Sequence, residues 1–195
     1  GVFPAALLGL DILKMKEGAQ WAIDHPGLVI ELSDQFLQSM KNEHWVSMFW
    51  IYSDQLYKFG EWWQQLWAES LAKKRTLDGG SGPDVSTPIA CRGANDQHSL
   101  LQQVVEGRRD KFLCFFTVES NFKKGAALER DIFGAQRFCE GRTMGQVLNA
   151  QANANVQVLK SEGVPCLDIS IETMNEFTLG ALFMTFELVI ATLGE

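Results

Sequence analysis

Short, continuously apolar runs alternate with longer amphipathic stretches along the chain. Apolar residues that follow one another without a polar interval are typical of parallel strands that are buried on both faces. The predicted strands are residues 45–52, 112–118 and 166–171, with a weaker candidate at 88–91. The pattern therefore predicts a buried sheet of parallel strands.

The stretches between these strands show helical periodicity. The predicted helices are residues 28–41, 54–74, 96–106, 143–161 and 173–192. Ser53 and Asp54 offer an N-cap to the second helix, and Gly163 ends the fourth. Strands that alternate with helices indicate an α/β fold with crossover connections. Residues 75–87, with three glycines and one proline, form the one obvious loop, and no second domain boundary is visible.

Composition narrows the classes of function. The 195 residues suit one domain with its own core, and 17 basic against 24 acidic residues give a net charge of −7. An acidic chain is a poor partner for nucleic acid or an anionic membrane. No apolar run reaches the roughly 18 residues that a membrane span needs. We therefore expect a protein that contacts neither nucleic acid nor a membrane.

The cysteines do not form a metal-binding pattern. Cys91, Cys114, Cys139 and Cys166 are scattered, and no two lie within about twenty residues of each other. Zinc ligands usually come in pairs two to four residues apart. The sequence therefore predicts no metal site and free thiols in a reducing compartment, for which the cytoplasm is the default. It contains no phosphate-binding Gly-rich loop and no dinucleotide fingerprint, so we expect no cofactor.

A polar pair emerges from the second predicted helix, which is otherwise apolar. Gln65 and Glu69 are four residues apart, so they share one helical face, close to Trp62. This face differs from the stripe that we expect against the sheet, which is Leu56, Phe59, Trp63, Leu66 and Ser70. Spacing alone leaves both possibilities open, a solvated surface pair or a functional one.

His98 is the second candidate functional residue. It lies in residues 93–99 (GANDQHS), where a loop rich in Gly, Asn and Asp leads into a helix, with Asn95 and Asp96 as candidate caps. A helix N-terminus favours neutral imidazole and binds anionic groups. An ordinary surface histidine remains the alternative interpretation.

Three segments, taken in order, resemble glucose-6-phosphate isomerase. They are residues 59–73 (FGEWWQQLWAESLAK), 93–107 (GANDQHSLLQQVVEG) and 175–190 (NEFTLGALFMTFELVI). Residues 1–11 resemble the segment that follows the Gly-Gly-Arg signature of that family. The resemblance implies that residues 1–195 are a single sugar-isomerase (SIS) domain, the C-terminal half of a two-domain enzyme. The implied fold is a flavodoxin-like three-layer sandwich around a parallel five-stranded sheet.

The resemblance also implies a reaction and roles for individual residues. The family interconverts glucose 6-phosphate and fructose 6-phosphate, in glycolysis and gluconeogenesis, through a cis-enediol and without a metal. Glu69 matches the base of the family, Gln65 a substrate-binding position, and His98 the histidine of ring opening. In the family that histidine reaches into the partner subunit's site, which implies a homodimer. We expect the Trp-rich helix to enclose Glu69 and so raise the pKa of its carboxyl group.

Several features of the family have no counterpart in this sequence. Its phosphate-binding Ser/Thr loop and Gly-Gly-Arg signature belong upstream of Gly1, and its C-terminal Gln and Lys belong beyond Glu195. We therefore expect a chain that is cut at both ends and inactive by itself. The alternative is a non-catalytic SIS module that binds phosphosugars in a regulatory or interaction role. The presence of Gln65, Glu69 and His98 favours the isomerase.

Overall fold

Four parallel strands form one sheet in the computed structural model, which describes residues 1–128 and 139–195. The strands are β1 (Val46–Ile51), β2 (Thr87–Arg92), β3 (Lys111–Val118) and β4 (Cys166–Ile171). Their order across the sheet is β2-β1-β3-β4, and all three neighbouring pairs are parallel. The four predicted strands and their parallel arrangement are thus confirmed. A fifth strand is not found among the described residues.

Seven α-helices and one short 3-10 helix (Glu119–Asn121) accompany this sheet in the described part of the chain. The α-helices are α1 (Val2–Leu7), α2 (Ile12–Asp24), α3 (Pro26–Lys41), α4 (Asp54–Leu71), α5 (Gly93–Glu106), α6 (Met144–Ser161) and α7 (Glu176–Gly194). The five predicted helices are confirmed, with ends that differ by a few residues. The first two helices were not predicted. The Asp11 side chain begins α2 by accepting hydrogen bonds from the backbone N–H groups of Leu13 and Lys14.

The helices pack on both faces of the sheet because successive β1 side chains point to opposite sides. Phe49 faces α3, α4 and α7, and its ring stacks on that of Trp63 with centroids 3.5 Å apart. Trp50 faces α5 and α6. Both faces are dominated by large, fully buried side chains, each of which contributes about 1.5–3 kcal/mol by leaving water. The result is three layers, helix, sheet and helix.

Helix α2 packs on the outer side of α7 through two glycines. A Cβ atom on Gly18 would lie 1.8 Å from the carbonyl oxygen of Phe177, and one on Gly180 would lie 1.9 Å from that of Met15. Real Cβ atoms do not approach backbone oxygens so closely, so only glycine fits at either position. The two backbones therefore meet without intervening side chains.

Helix α7 corrects the expectation that no apolar stretch reaches the length of a membrane span. By length and composition alone this 19-residue helix could cross a membrane, since residues 177–194 contain one charged residue, Glu187. The helix contacts α2 on one side and α3 and α4 on another. Phe186 and Val189 are buried in the core between the helices and the sheet. Contacts on several faces explain its apolar composition within a folded domain.

Candidate functional site

Gln65 and Glu69 lie on the solvent side of α4. The helix turns Trp63 and Trp67 toward the sheet, where both are fully buried, and this leaves Gln65 and Glu69 exposed. The Nε2 group of Gln65 donates a hydrogen bond of 3.1 Å to Oε1 of Glu69. The predicted shared face is therefore confirmed, and the amide orients the carboxylate.

The end of α4 that carries Glu69 lies near the N-terminal ends of the strands. The indole N–H of Trp67 donates to the carbonyl oxygen of Ser86, one residue before β2, at 3.0 Å. Lys73 donates from Nζ to the carbonyl oxygen of Glu69 at 2.7 Å. A basic side chain at a helix C-terminus satisfies a carbonyl and complements the helix dipole. These two hydrogen bonds hold the last turn of α4, which carries Glu69, in place.

A cleft of about 880 Å³ opens beside this end of α4. Its lining includes Ser70 and Lys73 but neither Glu69 nor Gln65. The expectation that the Trp-rich helix encloses Glu69 is wrong for the described residues. The tryptophans turn inward, and Trp62, the half-buried one, packs edge-on against Phe183 with ring centroids 4.5 Å apart. Glu69 stands in solvent next to the cleft.

His98 occupies the second turn of α5 and is exposed. The helix begins at Gly93, three residues before the predicted start. Asp96 therefore lies within the first turn rather than before the helix. Its Oδ2 atom accepts a hydrogen bond of 2.6 Å from the backbone N–H of Arg92, the residue that precedes the helix. A Cβ atom on Gly93 would lie 2.8 Å from the ring of Tyr52, which explains why the helix begins with glycine.

The structure does not bring Glu69 and His98 together within one chain. Asp54, at the start of α4, forms an ion pair with Arg92, which directly precedes α5, with Nε and Oδ1 3.4 Å apart. From Asp54, near the C-terminal ends of the strands, the helix runs fifteen residues, or about 22 Å, to Glu69 near their N-terminal ends. Helix α4 also packs on one face of the sheet and α5 on the other. The whole sheet separates the two side chains.

Sequence reasoning missed a buried polar group that supports α5. The Tyr52 hydroxyl, at the end of β1, accepts hydrogen bonds from Gln97 at 2.7 Å and from Asn155 of α6 at 3.1 Å. Burial is the main reason that the pKa of Tyr52 rises to about 12, so the phenol stays neutral. Tyr52 sits inside an apolar run, and only the unusual number of Asn and Gln residues in α6 hints at a polar partner.

Among the described residues, the buried cysteines and the other possible metal ligands outside these two regions give no sign of a reactive site. Burial raises the pKa of the Cys91 thiol to about 12 and that of Cys114 well above its usual value, so both are inert. Within residues 1–128 and 139–195, no three His, Cys, Asp or Glu side chains gather as metal ligands would.

Comparison with known proteins shows which enzymes have sequences similar to this chain. No protein-family model matches the chain. The glucose-6-phosphate isomerase of Methanocaldococcus jannaschii is 29% identical over an alignment of 205 positions that covers 100% of this chain and 48% of that protein. That of Rubrobacter xylanophilus is 29% identical over an alignment of 206 positions that covers 100% of this chain and 45% of that protein. The chain resembles glucose-6-phosphate isomerases along its whole length. It spans about half the length of these curated relatives.

Two solved structures share the fold. A hypothetical protein of Thermus thermophilus superposes with a TM-score of 0.84 and 26% identity, covering 98% of this chain and 46% of that one. A glucose-6-phosphate isomerase from Chlamydia trachomatis gives a TM-score of 0.70 at 20% identity, covering 93% and 37%. The second likeness shows the fold alone. It agrees with the α/β arrangement of a parallel sheet and flanking helices.

Proposed function

We propose that this chain is the SIS domain of a two-domain glucose-6-phosphate isomerase, its C-terminal half, which converts glucose 6-phosphate and fructose 6-phosphate into each other. The observation that carries the proposal is the similarity to curated isomerases over 100% of the chain. The proposal includes a cytoplasmic role in glycolysis and gluconeogenesis. It also includes a five-stranded, flavodoxin-like sheet, to which the described residues contribute four strands.

In this proposal Glu69 is the base of the reaction. Isomerisation moves a proton between C1 and C2 on one face of an opened sugar, and one carboxylate can reach both carbons. The hydrogen bond from Gln65 holds one carboxylate oxygen in place, which leaves the other free to face the substrate. Gln65 binds the phosphosugar beside it. The chemistry uses side chains only and requires neither a metal nor a cofactor.

His98 serves ring opening in this proposal, in the site of a neighbouring subunit. Support comes from the separation of His98 and Glu69, which lie on opposite faces of one sheet. A six-carbon substrate cannot touch both residues of the same chain. A homodimer in which each site takes Glu69 from one subunit and His98 from the other meets the geometric requirement.

The proposal predicts that this chain is inactive by itself. The phosphate loop, arginine and terminal lysine of the family would come from the remainder of the full-length protein. Without them the substrate is not positioned and the enediolate charge is not stabilised. Each loss costs on the order of 10²-fold or more in rate, although such effects are not additive.

A coupled assay of fructose 6-phosphate conversion tests these roles. We expect Glu69→Gln in the full-length protein to lower turnover by about 10²-fold or more. Glu61→Gln is the matched control, an exposed glutamate of the same helix that pairs with Lys58, and it should keep turnover within about twofold. An active Glu69→Gln protein would overturn the assignment of the base. Binding of fructose 6-phosphate without any conversion by the wild type would instead favour the non-catalytic module.

A further inference from the structure

The first two turns of α5 contain no large apolar side chain. Residues 93–99 read GANDQHS, and only Gly93 among them is buried. Helices are usually held on a sheet by apolar side chains, and α5 has those further along, from Leu100 to Val104. Some other interaction must therefore fix the direction of the segment that presents His98.

Two hydrogen bonds, with Trp50 of β1 and with Tyr52 just after it, supply that interaction. The indole N–H of Trp50 donates to the carbonyl oxygen of Gly93 at 2.9 Å, at the first residue of the helix. One turn later, Nε2 of Gln97 donates to the Tyr52 hydroxyl at 2.7 Å. Two attachments one turn apart fix both the position of the helix end and its rotation about its own axis.

Rotation about the axis decides where His98 points. Successive helical residues are about 100° apart, so a side chain held inward at Gln97 sends that of His98 outward. The Tyr52 ring cannot move away from this contact because it is 4% exposed and packs against Phe115, with centroids 6.3 Å apart. On its other side the hydroxyl is held by Asn155, which is 5% exposed. The phenol is a rigid acceptor fixed by two other elements.

We propose that Tyr52 is a positioning residue for His98, acting through its hydrogen bond to Gln97. This inference rests on the proposed function for the role of His98, but not for the contact itself. The high pKa of Tyr52 agrees with it, because a phenol that stays neutral keeps the same hydrogen bonds across the physiological range.

The test uses the full-length protein with Tyr52→Phe, which keeps the ring and removes the hydroxyl, and Gln97→Met, which removes the donor. The matched control is Tyr57→Phe. Tyr57 is the second of two tyrosines in the chain. The guanidinium carbon Cζ of Arg92 lies 4.6 Å from the centre of the Tyr57 ring.

Hydrogen exchange followed by mass spectrometry reports on the helix without reference to activity. We expect a peptide covering residues 93–99 to exchange about tenfold faster in Tyr52→Phe and in Gln97→Met, because both remove the one hydrogen bond that joins this segment to the Tyr52 hydroxyl. Tyr52→Phe also removes the acceptor of Asn155, which lies in α6 and outside this peptide. Tyr57→Phe should exchange like the wild type. Unchanged exchange in Tyr52→Phe would overturn the proposal, whatever the enzyme assay shows.

Kinetics separates positioning from general structural support. We expect Tyr52→Phe to lower kcat for fructose 6-phosphate about tenfold, with KM within about twofold. In a His98→Ala background the same substitution should have no further effect, and Tyr52→Phe combined with Gln97→Met should be no worse than either alone. An equal loss in both backgrounds would refute the positioning role. A wild type that does not convert the substrate would refute the proposed function and the kinetic role together, while exchange would still decide the contact.

Discussion

Subunits that each lack one essential residue should restore each other if the site is shared between chains. The perturbation is a pair of full-length variants, Glu69→Gln and His98→Ala, each inactive as a homodimer. In a mixed dimer one site combines both substitutions, and the other combines Glu69 of one subunit with His98 of its partner. That second site is identical to the wild type.

The expected recovery follows from the geometry and from random pairing. Helix α4 carries Glu69 about 22 Å from Asp54, while His98 lies five residues, or about 8 Å, into α5, on the other face of the sheet. No motion of a side chain closes such a gap, so neither variant can repair itself. Random exchange makes half of the dimers mixed, and each has one intact site. Activity should therefore return to about a quarter of that of the wild type.

The assay is fructose 6-phosphate conversion after the two variants are co-expressed or mixed under conditions that exchange subunits. Native mass spectrometry measures the fraction of mixed dimers, so that activity can be plotted against it. We expect a straight line through zero. Mixed dimers that form in full but show no activity would refute a site composed of two chains, and with it the role of one of the two residues.

The remaining predictions concern stability. Gly18→Ala should destabilise the fold by about 1–3 kcal/mol in a urea titration, because the new Cβ atom would meet the Phe177 carbonyl. The control Gly27→Ala places its Cβ atom in open space and should not destabilise the fold. Equal effects of the two substitutions would contradict the close contact between α2 and α7. The hydrogen bond from Lys111 is the main cause that lowers the pKa of Asp110, so the ionised carboxylate stabilises the fold above about pH 3.9, the pKa of unfolded Asp. That stabilisation is lost as the pH falls through the lower pKa of the folded state. The difference in Tm between wild type and Asp110→Asn should therefore shrink below about pH 4, and a constant difference would count against the pairing.

The two central strands, β1 and β3, were predictable because both of their faces are covered, whereas the edge strands β2 and β4 are only partly buried. A strand covered on both faces needs apolar residues at consecutive positions, and no surface helix produces that pattern. The β3 strand, Lys111–Val118, is buried at every position. Its prediction therefore required no knowledge of its neighbours.

Helix α2 escaped prediction for the opposite reason. Its buried residues are small, Gly18 and Ala22, because it approaches α7 at backbone distance. Three of its large apolar residues, Leu13, Trp21 and Ile23, are exposed. A search for a stripe of large apolar side chains therefore finds no inward face. Close packing through glycine becomes visible only when the partner helix is in place.

The paired face of Gln65 and Glu69 could be read from spacing because helix geometry alone decides it. The separation of Glu69 from His98 could not. It depends on β1 lying between β2 and β3, since successive crossovers then run in opposite directions along the sheet and place α4 and α5 on opposite faces. Strand order is a property of the whole fold, so no local pattern records it.

Tyr52 shows why a residue proposed to support a site is harder to find from the sequence than the residues proposed to form it. Glu69 and His98 carry groups that can exchange protons, and such groups attract attention wherever they occur. Tyr52 ends an apolar run, one residue after β1, and its partners Gln97 and Asn155 are 45 and 103 residues away. Its position in the sequence therefore indicates a core residue. Its function as an acceptor depends on two helices that pack on the same face of the sheet, so substituting Tyr52 or either partner should disturb this group of hydrogen bonds.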